Sequence, residues 1–211
     1  MRVLSLNVGL PREVEWRNEP VTTAIHKAPV SGPVQVRQLN LDGDRQADLS
    51  VHGGPDKAVY VYPSEHYPYW RKELPGMALP WAAFGENLTV EGLGEADLRV
   101  GDALRIGSAE FIVTQPRLPC YKLNVRFQRP DMVKRFLRSG LTGFYLAVTK
   151  EGELAAGDEI QLLPTDRSAV TIPEVVTLYT SKKRDGALLR RAIATAALPA
   201  SWREYFQTMS S

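Results

Sequence analysis

The sequence predicts a mainly β protein: a closed or nearly closed β-barrel with a few short helices, followed by a small three-helix unit. Three observations carry that reading. Short apolar and β-branched runs recur between Gly, Pro and Asp turns through most of the chain. Two of those runs are entered through the same turn, Gly101-Asp102 before Ala103 and Gly157-Asp158 before Glu159, a recurrence expected where short strands close on one another. Beyond Pro164 the alternation gives way to helical spacing, so the expected units are residues 1–165 and 166–211.

In chain order, Met1 to Val8 alternates as a half-buried strand that Gly9 and Pro11 stop. Residues 12 to 22 read as polar and irregular. Thr23 to Lys27 and Val34 to Leu39 read as two further strands, and Asp42-Gly43-Asp44 as a turn. Val59 to Tyr62 is strand-like, and Ser64 is placed to cap a helix from Glu65 to Lys72, with Pro68 tolerated in its first turn. Tyr60, Tyr62, Tyr67, Tyr69 and Trp70 are assigned to the core rather than to a base-stacking surface. Phe84 to Val90 ends in a strand. The clearest hairpin joins Ala103–Ile106 to Ala109–Thr114 through Gly107-Ser108. Asp131 to Ser139 is a helix with Met132, Val133, Phe136 and Leu137 on one face and Gly140 as its stop, and two more strands follow at Tyr145–Thr149 and Glu159–Leu163.

In the helical unit, Thr171 and Glu174 form a capping box ahead of Val175, Val176 and Leu178. A second helix spans Asp185 to Ala196 and a third carries Trp202, Tyr205 and Phe206. About forty residues of helix cannot bury a core alone, so this unit should dock on the barrel or on a partner. Lys182-Lys183-Arg184 reads as a solvated linker.

Length and composition exclude several classes of function. At 211 residues with a net charge of +2, the chain has no global field for nucleic acid or a membrane surface. One cysteine makes no internal disulfide, and no signal-peptide pattern or membrane-length apolar run is present, so the expected location is cytoplasmic. Neither a GxGxxG fingerprint nor a Walker loop occurs, so reducing equivalents for any redox reaction would have to come from a partner.

Two stretches carry chemistry. Gln115 to Phe127 holds the only cysteine, Cys120, between Pro119 and Tyr121, with Arg117 and Lys122 close in sequence; its two prolines argue for a rigid loop. Neighbouring cations favour the thiolate, the nucleophilic and metal-binding form, while a lone cysteine can equally be an inert buried hydrophobe. The second stretch, His52-Gly53-Gly54-Pro55-Asp56-Lys57, pairs adjacent glycines with His, Asp and Lys. It suits either an anion cradle of backbone N–H groups completed by Lys57 or a simple turn. His52 is a structural or a proton-transferring histidine on the same terms. Glu86 and Asn87, after Gly85, can satisfy their own turn.

Taken together, Leu41-Asp42-Gly43-Asp44, His52 to Ala58, Gly85-Glu86-Asn87-Leu88 and Pro116 to Asn124 resemble the MOSC family, named for the C-terminal domain of molybdenum-cofactor sulfurase, and its stand-alone YiiM-like branch in particular. The helices after Thr171 are similar to the three-helix domain often attached to that branch. The resemblance implies a MOSC-type β-barrel and places Cys120 at the family's conserved thiol, the ligand of molybdenum carried on a pterin dithiolene (molybdopterin). Soft thiolate suits such a centre. Gly53, Gly54, Lys57, Glu86, Asn87, Arg117, Lys122, Asn124 and Arg126 become expected cofactor-binding residues, and Cys120, His52 and Asp56 the catalytic ones. The implied reaction is two-electron reduction of an N-hydroxylated substrate, such as an N-hydroxylated purine, with an external flavin-containing reductase as donor. A persulfide carrier and a non-catalytic cofactor-delivery module use the same residues, and pyridoxal phosphate binding is a further association of the family.

Overall fold

The computed structural model describes residues 1–48, 53–163, 168–181 and 185–209. Its strands are β1 (Arg2–Val8), β2 (Arg12–Trp16), β3 (Glu19–Thr23), β4 (Ala28–Pro29), β5 (Val34–Val36), β6 (Val59–Pro63), β7 (Leu88–Glu91), β8 (Ala103–Ile106), β9 (Ala109–Pro116), β10 (Phe144–Lys150), β11 (Gly152–Leu154) and β12 (Ile160–Leu162). Its helices are α1 (Tyr67–Glu73), α2 (Lys122–Phe127), α3 (Met132–Ser139), α4 (Ile172–Thr180), α5 (Gly186–Ala194) and α6 (Ala200–Thr208).

Eight strands form one sheet in the order β12-β8-β9-β10-β6-β7-β1-β4. Every neighbouring pair is antiparallel except β6 and β7, where α1 and the loop after it supply the crossover that a parallel pair needs. The sheet curls until its far end meets its start. Arg2 bridges Glu159, Val3 N–H donates to Asp158 O at 2.9 Å, and Ile160 N–H donates to Met1 O at 3.0 Å. The Gly157-Asp158 turn is therefore the point of closure, made by a bridge and a few backbone hydrogen bonds rather than by a full ladder.

Two apolar clusters hold the sheet. One fills its interior with residues such as Leu6, Val61, Leu88, Phe111, Phe144 and Leu146. It continues without a break into Val175, Leu178, Leu189, Trp202 and Phe206, so the helical unit docks on the sheet. The other is aromatic, with Tyr62, Tyr67, Trp70, Phe84 and Phe136 buried together between α1, α3 and β6. Of the five aromatics assigned to the core, Tyr69 alone is largely outside it, at 40% exposure.

Local readings fail at five places, each for a physical reason. Residues 12–22 are a hairpin, not irregular, because Arg17 and Asn18 take φ of 56° and 63° and so make a turn that glycine usually signals. Thr23 to Lys27 is not a strand beyond Thr23; it leaves the hairpin to line a cleft. Only Val34–Val36 of the 34–39 run pairs, with β11. Ser64 does not cap a helix: Ser64–His66 is a 3-10 turn and its hydroxyl bonds Glu65. Helix α2 occupies the second half of the expected loop, since Pro116 and Pro119 both precede it and break none of its bonds. The capping box is as read: Glu174 N–H donates to Thr171 Oγ1 at 3.3 Å, and Thr171 N–H donates to Glu174 Oε2 at 2.8 Å.

Candidate functional site

The ends of β9 and β6, the turn after Gly85, the segment after β3 and the start of α2 converge on one cleft. Of the residues singled out in the sequence, it brings together Cys120, Arg117, Lys122, Lys57, Gly53 and Asn87. Sequence reasoning missed Lys27, Arg45, Tyr60 and Tyr145, which line the same cleft. Among the described residues its charged lining is Lys27, Arg45, Lys57, Arg117 and Lys122 against the single carboxylate of Asp44. On a chain with a net charge of only +2, that is a concentrated positive field around one thiol.

Cys120 carries a reduced, half-buried thiol in the short loop between β9 and α2. Arg117 is 6% exposed, and its guanidinium lies 5.1 Å from the Tyr60 ring centroid and 5.1 Å from that of Phe136. Burial works against its charge while Tyr60, Tyr145 and Cys120 beside it favour it, and the guanidinium stays protonated. Its Nη1 is buried and finds no hydrogen-bond partner among the described residues. A buried, unmet donor on a cation is costly unless something else completes it.

The opposite wall is fully connected. Asp44 accepts hydrogen bonds from Lys27 Nζ, from Gly9 N–H at 2.8 Å and from Asn87 Nδ2 at 2.9 Å. Burial lowers the Lys27 pKa, and Asp44 opposes that shift. Asn87 Oδ1 accepts from Tyr60 N–H at 3.1 Å, so this side chain ties β6, β1 and the Asp44 turn together at the cleft edge. Gly9 must be glycine, since a Cβ there would stand 2.8 Å from the His26 carbonyl oxygen.

The remaining expected site residues are placed elsewhere. Glu86 is wholly buried beneath the cleft and accepts from Tyr67 Oη, Ala82 N–H (3.0 Å), Phe84 N–H (3.1 Å) and Thr89 Oγ1 (3.0 Å); it builds the turn. Asn124 Oδ1 accepts Val133 N–H at 3.0 Å and so secures the first turn of α3. Asp56 borders a separate groove with Thr114 and Arg203, and its carbonyl rather than its carboxylate is the connected group. Gly54, at φ 86°, precedes a one-turn 3-10 helix and has open space where a Cβ would stand. Arg126 stands one helical turn beyond Lys122, outside the cleft lining; its Nε is buried without a partner among the described residues, and burial lowers its pKa, with Glu86 opposing and Arg12 adding. Beside it, His26 is pushed down to about 4 by burial, with Arg126 and Arg12 contributing. His52 lies outside the described residues, as does the Lys182-Lys183-Arg184 run.

Comparison with known proteins places this geometry. The MOSC domain model matches residues 48–161, and the YiiM-like, 3-alpha helix domain model matches residues 170–209. The chain belongs to the MOSC domain family. This MOSC protein is 41% identical to YflK of Bacillus subtilis over 204 residues, 97% of this chain and 92% of that one. It is 38% identical over 146 residues, 68% of this chain, to a protein of Gibberella moniliformis named "Reductase", of which the match spans 26%. The crystal structure of YiiM from Geobacillus stearothermophilus superposes with a TM-score of 0.83 at 35% identity, covering 100% of this chain and 99% of that one. MOSC domains are associated with molybdenum-cofactor binding, and the mainly β fold with its C-terminal helical unit is that of the YiiM-like MOSC proteins. Among the described residues no helix is long and apolar enough to cross a membrane.

Proposed function

We propose that the protein binds the molybdenum cofactor in this cleft with Cys120 as the metal ligand, and reduces N-hydroxylated substrates, N-hydroxylated purines being the class to test first. The observation that carries the reading is Arg117: a guanidinium held beside two rings, with one buried donor unpartnered among the described residues, in a residue that lines the cleft holding the chain's only thiol. The residues fit the group. A thiolate is the soft ligand that molybdenum prefers, and Arg117 with Lys57 and Lys122 supplies the charge a pterin phosphate requires. When bound, the cofactor supplies two-electron redox chemistry at the metal.

The net reaction consumes two electrons and two protons, turning the N-hydroxyl compound into the amine and water. The chain's own part is to hold, orient and protonate. Arg117 and Lys57 fix the anionic group, and Tyr60 and Tyr145 give the cleft a ring-lined wall. Burial raises the pKa of both tyrosines, which makes them hydrogen-bond donors rather than proton sources at neutral pH. With Asp56 bordering another groove, His52 is the proton-transfer residue to test. The electrons come from an external flavin-containing reductase, since this sequence carries no dinucleotide motif; the fungal relative's name supports a redox role.

The test is molybdenum content by mass spectrometry and released pterin in wild type, Cys120→Ala and Arg117→Met, expressed in a host that makes the cofactor. The expected result is near-stoichiometric metal and pterin in wild type, loss of metal in Cys120→Ala and weakened pterin retention in Arg117→Met. A well-folded wild type that takes up neither, even after incubation with the cofactor, overturns the reading and leaves persulfide transfer by Cys120 as the chemistry to assay.

A further inference from the structure

The C-terminal helices make a polar contact with the strand end from which the cysteine loop departs. Trp202, on α6, is 8% exposed, and its indole Nε1–H donates to Gln115 Oε1 at 2.6 Å. Gln115 is itself buried, one residue before the end of β9, and its Nε2 donates to the Asp56 carbonyl at 3.3 Å. Thr114, the residue before, donates to the same carbonyl at 2.7 Å. One side-chain amide thus joins three parts: the helical unit through its oxygen, the Gly53–Lys57 turn through its nitrogen, and the cysteine loop through its backbone. Its orientation is fixed, because turning it over would set donor against donor at one end and acceptor against acceptor at the other.

From Gln115 the chain runs Pro116-Arg117-Leu118-Pro119-Cys120. Two fixed proline φ angles in five residues leave little slack to absorb a shift at the strand end. Leu118, midway along, lies in an apolar groove with Tyr179 and Trp202, whose rings meet at 5.6 Å. The loop is therefore held at its root by a hydrogen bond and at its middle by packing, both from the helical unit. Lys57, next to Asp56, lines the same cleft as Cys120 and Arg117.

We infer that the three-helix unit sets the cleft's geometry, with Trp202 and Gln115 as the positioning residues that hold Cys120 and Arg117 in register with the Gly53–Lys57 turn. The inference holds whether the thiol ligates metal or carries sulfur, so its failure and that of the proposed function are separate.

The experiment measures iodoacetamide alkylation of Cys120, the only cysteine, in the full-length protein at fixed pH, alongside thermal unfolding. Trp202→Phe keeps an aromatic ring and removes the donor; Gln115→Leu keeps the indole and removes the acceptor. Each should raise the alkylation rate roughly fivefold or more by freeing local opening of the loop. The double variant should match the singles, because both remove one interaction. The control is Ile106→Val, which loosens the same core at the far end of β9, about 20 Å along the strand from Gln115. It should lower Tm and leave alkylation unchanged. If Ile106→Val speeds alkylation as much as Trp202→Phe at a matched loss of Tm, or if both tie variants alkylate at the wild-type rate, the helices merely stabilise the fold and the inference is wrong.

Discussion

Glu86 and Arg117 are two buried ionisable side chains, one beneath the cleft and one in its lining, and they are partnered in different ways. Glu86 has four donors from protein and no open side. Arg117 is nearly as deeply buried, has two aromatic rings for neighbours, and keeps one buried donor without a partner among the described residues. Desolvation is expensive for both. In the first case hydrogen bonds define the Ala82–Thr89 turn, although burial still pushes the Glu86 pKa up. In the second, Tyr60, Tyr145 and Cys120 favour the charge against burial, and one donor, Nη1, is left without a partner among the described residues. The bonds on Glu86 build scaffold, and the spare donor on Arg117 is what the proposed function draws on.

Mutation should separate the two by size. Glu86→Ala strands two backbone N–H groups and two hydroxyls in the interior, and should cost about 3–5 kcal/mol by urea denaturation. A loss under about 1 kcal/mol would show that the turn holds without its carboxylate. Arg117→Met, which exchanges an incompletely paired cation for an apolar chain of similar length, should change stability by no more than about 1 kcal/mol, in either direction. If the proposed function holds, phosphate or a pterin phosphate should raise the Tm of the wild type, and Arg117→Met should abolish that rise. A severe loss of stability in Arg117→Met would make it a second scaffold residue and end the contrast.

Acid sharpens the comparison further. His26, held to about 4, refuses a proton that the unfolded chain accepts near its ordinary value of 6.5. Stability is therefore fully present above 6.5 and falls as pH drops towards 4. Glu95 acts lower down: burial alone would raise its pKa, but hydrogen bonding and charge from His66 hold it below 4.5, so its contribution is lost only under stronger acid. Denaturation of His26→Leu at pH 7, 5.5 and 4.5 should show a shallower decline than wild type. An unchanged slope would assign the decline to other groups. The smallest effect belongs to the surface. Arg2 and Glu91, 60% and 50% exposed, form an ion pair whose loss in Arg2→Gln should stay within about 0.5 kcal/mol.

Most of the sheet was legible in the sequence because its signals are local. The hairpin of β8 and β9, the stop at Gly140 and the Thr171 capping box depend on residues a few positions apart. Hairpin β2–β3 was hidden because Arg17 and Asn18 do what glycine usually does. The site was half legible. Cys120, Arg117, Lys122 and Gly53 stand out by type and neighbourhood, whereas Lys27 and Tyr145 sit in ordinary stretches and reach the cleft only through the crossing of distant strands. Asn124 and Glu86 show the converse. Both lie inside informative motifs, yet their hydrogen bonds are spent on a helix start and a turn. The Asp44 turn was quoted for its Asp-Gly pattern, but nothing nearby in sequence announces that it would pair with Lys27 and Asn87.

The meeting of Met1–Val3 with Asp158–Ile160 has a consequence for synthesis. β1 pairs with β4 about twenty residues on, but its other neighbours are β7, some eighty residues later, and a turn more than 150 residues later. Contacts of that separation place the chain towards the slow end of folding rates for its size. β1 is thus made well before it is enclosed, and during translation its apolar face must wait, exposed or shielded by a chaperone, until the closing turn arrives.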